Sequence, residues 1–207
     1  EIDDSGVGIF QKIKKTLNLK DERESALHLS KGKFTTDPEN HPGEGIFFTS
    51  RFFDDFLIHS KQMIYRRFNL DHDWFVESKK GLSIPGTGVR MKIALDSKRK
   101  MQEVYKQYQG EDLDGVQSFD KTHFLVVLSK LGDERYVSRS QARRIVLGLE
   151  KFKHVILDFR DISTVGQGFV DEVFRVYKSK HPEVMINYKN ANDDVKFMIE
   201  RSLPSAS

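Results

Sequence analysis

Apolar positions recur at helical spacing close to the start of the chain. Ile9, Phe10, Ile13 and Leu17, followed by Leu19, predict a helix behind a first glycine cluster. Residues 21–30, with Ala26, Leu27 and Leu29, predict a second. Residues 31–44 hold Gly, Pro and Asn with little apolar matter, which predicts a mobile loop. Gly45 opens an apolar helix expected to reach Asp55. The period then shortens. Residues 56–60, 62–68 and 73–77 are β-type runs, with residues 69–72 as a hairpin turn. Residues 89–95 alternate apolar and polar side chains, the pattern of a strand with one buried face. These elements predict an α/β sandwich, a sheet covered by helices on one face.

Residues 97–120 are charged and then rich in Gly and acidic groups, which predicts a linker between domains at 1–96 and 121–207. Beyond it, strands are expected at 124–128, 155–159 and 184–188. Helices are expected at 138–152, 169–177 and 193–201. Ser138 or Ser140 would cap the first, and Ala142, Ile145, Val146 and Leu149 share its apolar face. Strands alternating with helices over short links imply crossover connections and a small α/β domain with a mixed, largely parallel sheet.

Composition narrows the classes. At 207 residues, one large or two small domains are expected. The formal net charge is only +3. The basic runs, from Lys12 to Lys20 and at Lys98-Arg99-Lys100, read as solvated helix faces, so nucleic acid is not an expected partner. The chain has no cysteine, which excludes disulfides, thiolate metal sites and thiol nucleophiles. No apolar run approaches the roughly 20 residues of a membrane span, and no signal peptide is visible. The expected location is cytoplasmic.

Three glycine clusters carry the candidate chemistry. Asp4 sits in a turn whose Gly6 and Gly8 remove side-chain bulk, so a base with an exocyclic amine could lie against the backbone. Gly43 and Gly45, just ahead of a helix, would expose backbone N–H groups to phosphate oxygens. Thr35 and Thr36 add hydroxyl donors, and Lys31, Lys33 and His41 could screen charge. Gly86-Thr87-Gly88 would bring a strand end to the base, with the Thr87 hydroxyl beside Asp4.

This set resembles the Bergerat-fold ATPases, the GHKL superfamily. Asp4-Ser5-Gly6-Val7-Gly8 looks like the first glycine box and Gly43-Glu44-Gly45 like the second. Phe34-Thr35-Thr36 resembles the lid signature of the histidine kinase branch. Gly86-Thr87 and the strand after it resemble the third box. Over about residues 1–95, the resemblance implies the C-terminal part of an ATP-binding domain. Asp4 would contact the adenine amine, the lid glycines would face the phosphates and Thr87 would support the base. It implies ATP and Mg²⁺ as cofactors of a bacterial signalling protein. The family's N-box, which supplies the metal-holding Asn and the general base, lies upstream of the first box. The expectation is therefore that the natural protein continues upstream and that this chain alone binds nucleotide poorly. No catalytic residue and no protein metal ligand are nominated.

In the second half, residues 155–159 lead through Asp161-Ile162-Ser163-Thr164-Val165-Gly166 into Phe169-Val170-Asp171-Glu172-Val173. Over about residues 121–205 this resembles STAS domains, most closely the STAS-like family of unknown function that often follows a GHKL ATPase. The resemblance implies a protein partner. The serine phosphorylated in anti-anti-sigma STAS proteins falls here on Gly166 or Gln167, which cannot accept phosphate. Ser163 and Thr164 read better as loop caps. His72 between two aspartates reads as a turn, Asp54-Asp55 and Asp193-Asp194 as helix surface or N-terminal charge, and Trp74 as core. An ATP-dependent regulator and a non-catalytic scaffold with a degenerate nucleotide site are the two functional expectations. The oligomeric state is left open.

Overall fold

The computed structural model describes residues 1–37, 39–68, 72–77, 83–111, 117–129 and 135–203. They form two compact α/β units, Glu1–Gln107 and Tyr108–Ser207.

The first unit is a five-stranded antiparallel sheet, ordered β1-β5-β2-β3-β4. Its strands are β1 (Ile2–Asp3), β2 (Asp55–Lys61), β3 (Met63–Phe68), β4 (His72–Glu77) and β5 (Ile84–Lys92). Before the β2–β3 hairpin come α1 (Ile9–Leu17), α2 (Arg23–Lys31) and α3 (Gly45–Phe52), and α4 (Met101–Tyr108) follows the sheet. Side chains alternate across a strand, so Phe56 and Ile58 of β2 and Met63 and Tyr65 of β3 point one way. There they bury against Phe10 and Ile13 of α1 and Ala26 and Leu29 of α2. Helix α1 stops where Asn18 turns left-handed and its N–H reaches the carbonyls of Lys14 and Lys15.

Several expected boundaries move. Helix α3 ends at Phe52, not Asp55, because Asp55 already pairs with Phe68 and Lys92 as the first residue of β2. Neither Asp54 nor Asp55 is helix surface. Asp55 is buried and held by both guanidinium nitrogens of Arg66 at 2.7 Å, and Asp54 pairs with Arg99 at 2.7 Å. Strand β5 begins at Ile84, so Gly86-Thr87-Gly88 lie inside the sheet instead of preceding it. Of the expected hairpin turn, residues 69–71 lie outside the described residues, and His72 belongs to β4, opposite Phe68. The stretch 97–120 contains α4 and an antiparallel ribbon of β6 (Gln109–Glu111) and β7 (Gln117–Phe119).

The second unit contains a three-stranded sheet, ordered β10-β9-β8 and parallel throughout. Strand β8 is Lys121–Leu125, shifted toward the N-terminus because residues Val126–Ser129 coil into a 3-10 turn. Strands β9 (His154–Asp158) and β10 (Met185–Lys189) complete it. Helix α5 (Arg139–Val146) starts on a capping box. The Gln141 N–H donates to Ser138 Oγ, and the Gln141 side chain accepts from the Ser138 N–H. The expected helix to residue 152 is broken at Leu147-Gly148, and a 3-10 turn, Leu149–Lys151, follows, still burying Leu149. The next rod is α6 (Gln167–Val170), a π-helical segment Asp171–Tyr177 and α7 (Lys178–Lys180) in succession. Helix α8 (Asp193–Ser202) ends the described chain, with Asn192 as N-cap and Asp193-Asp194 in its first turn, as the charge pattern predicts. Val155 and Leu157 of β9 are fully buried, as are the helical residues Ile145, Phe169, Val173 and Ile199.

Candidate functional site

Asp4 is the hinge of the first site. Its N–H donates to the Thr87 carbonyl at 2.9 Å, continuing the β1–β5 ladder. Its Oδ1 accepts from the N–H of Gly6 at 2.6 Å and of Thr87 at 3.3 Å. The Thr87 hydroxyl in turn accepts from the Ile9 N–H at 2.9 Å, an orphan donor of the first turn of α1. Thr87 is buried and Asp4 exposed. One carboxylate oxygen therefore fixes the turn, and the other accepts no hydrogen bond.

Gly86 makes this convergence sterically possible. It sits at φ +62°, and a Cβ there would stand 2.6 Å from the Asp4 carbonyl carbon. Gly8 is packed beside Ser60, whose hydroxyl donates to the Gly86 carbonyl at 2.7 Å. Asp4, Gly6, Gly8 and Thr87, far apart in sequence, are thus one cluster where β1, β5 and the start of α1 meet.

The lid residues gather elsewhere. Thr35, Gly43 and Gly45 line a hollow of about 450 Å³ with Phe34, His41 and Glu44. Thr35 Oγ1 accepts from the Asp37 N–H at 3.0 Å, a local turn bond. Thr36 is exposed. Lys33 stands at φ +53° after Gly32. Burial raises the Glu44 carboxyl above the usual range, and the charge of Lys33 partly offsets this. Gly43, at φ +76°, packs against the Phe34 backbone, where a Cβ would lie 2.5 Å from the carbonyl carbon. Its missing side chain thus closes the 34–43 loop. Gly45, the first residue of α3, faces open space. The hollow lined by Asp4 and the hollow lined by Gly43 and Gly45 share no residue.

In the second unit, the chemistry collects on Asp158, at the carboxyl end of the middle strand, where parallel sheets place their polar groups. The side chain is fully buried. It accepts from His123 Nε2 at 3.1 Å, Asn190 Nδ2 at 2.9 Å and the Arg160 N–H at 3.0 Å. Lys189 Nζ stands 3.6 Å and an Arg160 guanidinium nitrogen 3.7 Å away. Burial alone would raise this carboxyl. The hydrogen bonds from His123, Asn190 and Arg160, with the charge of Lys189, outweigh it and hold the group well below the usual carboxylate range. Sequence reading missed this cluster. Its local signal was a lone Asp closing an apolar run, and its partners come from β8 (His123), the end of β10 and the residue after it (Lys189, Asn190), and the turn after β9 (Arg160).

The loop from Asp161 to Gly166 is anchored. Asn192 Nδ2 donates to the Ser163 carbonyl at 2.8 Å, and the Gly166 N–H donates to the Tyr136 carbonyl at 2.7 Å. Ser163 and Thr164 are exposed. A Cβ on Gly166 would come within 2.7 Å of Val137 Cα, so this is a close-packing position. Among the described residues, no group of three or more His, Asp or Glu that could hold a metal ion is found. No helix there is long and apolar enough to cross a membrane.

A family model for a STAS-like domain of unknown function (DUF4325) matches residues 141–196, from α5 through β10 into α8. The C-terminal unit thus carries a STAS-like domain. No curated protein and no solved structure matches the chain.

Proposed function

We propose that this chain belongs to an ATP-binding regulatory protein in which a GHKL-type nucleotide module is joined to a STAS-like protein-interaction module. The observation that carries the reading is the state of Asp4. One oxygen is locked by Gly6 and Thr87, and the other is unpaired beside a glycine-bared backbone. A carboxylate held this way is preorganised to accept the exocyclic amine of adenine. The open approach to Gly45 at the start of α3 suits an anionic group. Mg²⁺ would arrive with the nucleotide, since the described residues offer no ligand set of their own. Nucleotide occupancy acts as the switch, and the STAS-like unit contacts the protein partner. Isothermal titration with ATP, with and without Mg²⁺, tests this reading. Saturable binding that Asp4→Asn weakens supports it, and absence of saturable binding overturns it.

A non-catalytic scaffold is the second reading. It is favoured by Gly43, whose bareness is used against Phe34, and by the lack of a lining residue common to the two hollows. On that reading, the chain does not respond to ATP, while partner binding through residues 141–196 persists.

A further inference from the structure

The face of the five-stranded sheet opposite α1 and α2 carries a hollow of about 490 Å³, within the roughly 300–1,000 Å³ usual for small-molecule sites. Leu57 and His59 reach it because they alternate with the core residues Phe56 and Ile58. Its floor is apolar, built by Leu57, Ile64, Ile84 and Pro85.

The polar groups around that floor are unequally satisfied. Arg90 is taken up by Glu1, with both carboxylate oxygens at 3.0 Å from one guanidinium nitrogen. Asp3 faces Gly88 across the β1–β5 ladder and fills the space that a Gly88 side chain would need. Among the described residues, its carboxylate accepts no hydrogen bond and joins no ion pair. His59 Nε2 is shielded from solvent and has no hydrogen-bond partner. Among the described lining residues, Arg90 is already neutralised by Glu1 whereas Asp3 and Asp4 join no ion pair, so the charge favours a positive guest.

We propose that this hollow binds a small organic cation with a flat apolar body and a planar N–H donor group, of the amidinium or guanidinium class. Asp3 is its ion partner, and the body lies on Leu57, Ile64 and Ile84. A planar fork of N–H donors matches a carboxylate in a way a spherical ammonium does not. Asp4 also lines this hollow, so the site adjoins the carboxylate on which the nucleotide reading rests, and the two are told apart by which aspartate each ligand needs.

Benzamidine, with neutral benzamide as its near-isostere, tests the proposal. Calorimetry at low salt should show benzamidine binding at least about tenfold more tightly, the factor expected from one charge-assisted hydrogen bond. Saturation should shift the His59 ring resonances in NMR spectra. Asp3→Asn, a near-isosteric change at an exposed position, should lower benzamidine affinity about tenfold and leave benzamide unchanged. Leu57→Trp should fill the hollow and abolish binding of both. Equal affinity for the two probes, no saturable binding, or an unaltered response in Asp3→Asn overturns the proposal. Benzamidine and ATP titrations of Asp3→Asn and of Asp4→Asn keep the two readings distinguishable, because each reading assigns its ligand to a different one of these carboxylates.

Discussion

The carboxylate of Asp4 meets the backbone N–H of Thr87 at 3.3 Å across 83 positions of sequence. The Thr87 hydroxyl in turn accepts from the Ile9 N–H. Two hydrogen-bonded side chains thus tie the first strand, the last strand of the sheet and the first helix into one corner. The corner exists only because Gly86 bends the chain into a left-handed conformation beneath Asp4.

Gly86→Ala should therefore destabilise the first unit by about 2 kcal/mol or more, from a disfavoured positive φ plus a clash with the Asp4 backbone. Urea unfolding followed by the fluorescence of Trp74 checks this. A midpoint equal to that of the wild type would mean that the corner is not rigid.

Asp4→Asn and Gly45→Val separate binding from folding. Both positions are exposed, and a side chain at Gly45 meets open space. Unfolding midpoints should shift little for Gly45→Val. Nucleotide affinity should fall in both variants, by about 1.5–3 kcal/mol for Asp4→Asn if it loses a charged hydrogen bond. Unchanged calorimetric affinity in either variant contradicts the corresponding contact.

Asp158→Ala should cost about 3 kcal/mol, because it strands His123, Asn190 and the Arg160 N–H around an uncompensated gap. The pH dependence follows from the depressed carboxyl. Its contribution is complete above the unfolded value of about 3.9 and is lost as pH falls toward the lower folded value. Asp158→Asn should remove that acid-sensitive component. Hydrogen exchange of the β9 amides between about pH 5 and pH 3 measures it; identical slopes in both proteins would refute the assignment.

Ser138→Ala removes half of a capping box and should cost about 1 kcal/mol. Thermal unfolding of the C-terminal unit reads the loss. Ser140→Ala should cost less, since the Ser140 hydroxyl touches only that of Ser138.

Tyr177→Phe should be neutral or stabilising. The Tyr177 hydroxyl is buried without a hydrogen-bond partner, and burial pushes its ionisation well above the ordinary tyrosine value. Removing an unsatisfied hydroxyl relieves a desolvation cost of about 1–3 kcal/mol. A clear loss of stability would mean that the hydroxyl has a partner in solution.

How far local pattern reaches can be judged from particular residues. The α1 periodicity at Ile9, Phe10 and Ile13, the Ser138 cap and the acidic start of α8 were all legible, because each is set by neighbours within one or two turns. The α3 end was misplaced because Phe52, Phe53 and Phe56 suit a helix or a strand equally. Pairing of Asp55 with Phe68 and Lys92 decided between them. The extension of β5 back to Ile84 was hidden by Gly86 and Gly88, weak strand formers kept in the sheet by Asp3, Asp4 and Ser60.

Alternation and spacing along the chain were sufficient for the α/β class and the parallel order of the second half. Which residues of the glycine clusters come together was a matter of three-dimensional register. Asp4 reached Thr87, and Gly43 instead spent its open side on Phe34. His123 found Asp158 because parallel β8 and β9 aligned His123 with Ile156 and Leu125 with Asp158. Short-range propensity is written in adjacent side chains, whereas strand register and the burial of a lone carboxylate depend on contacts whose members are tens of residues apart.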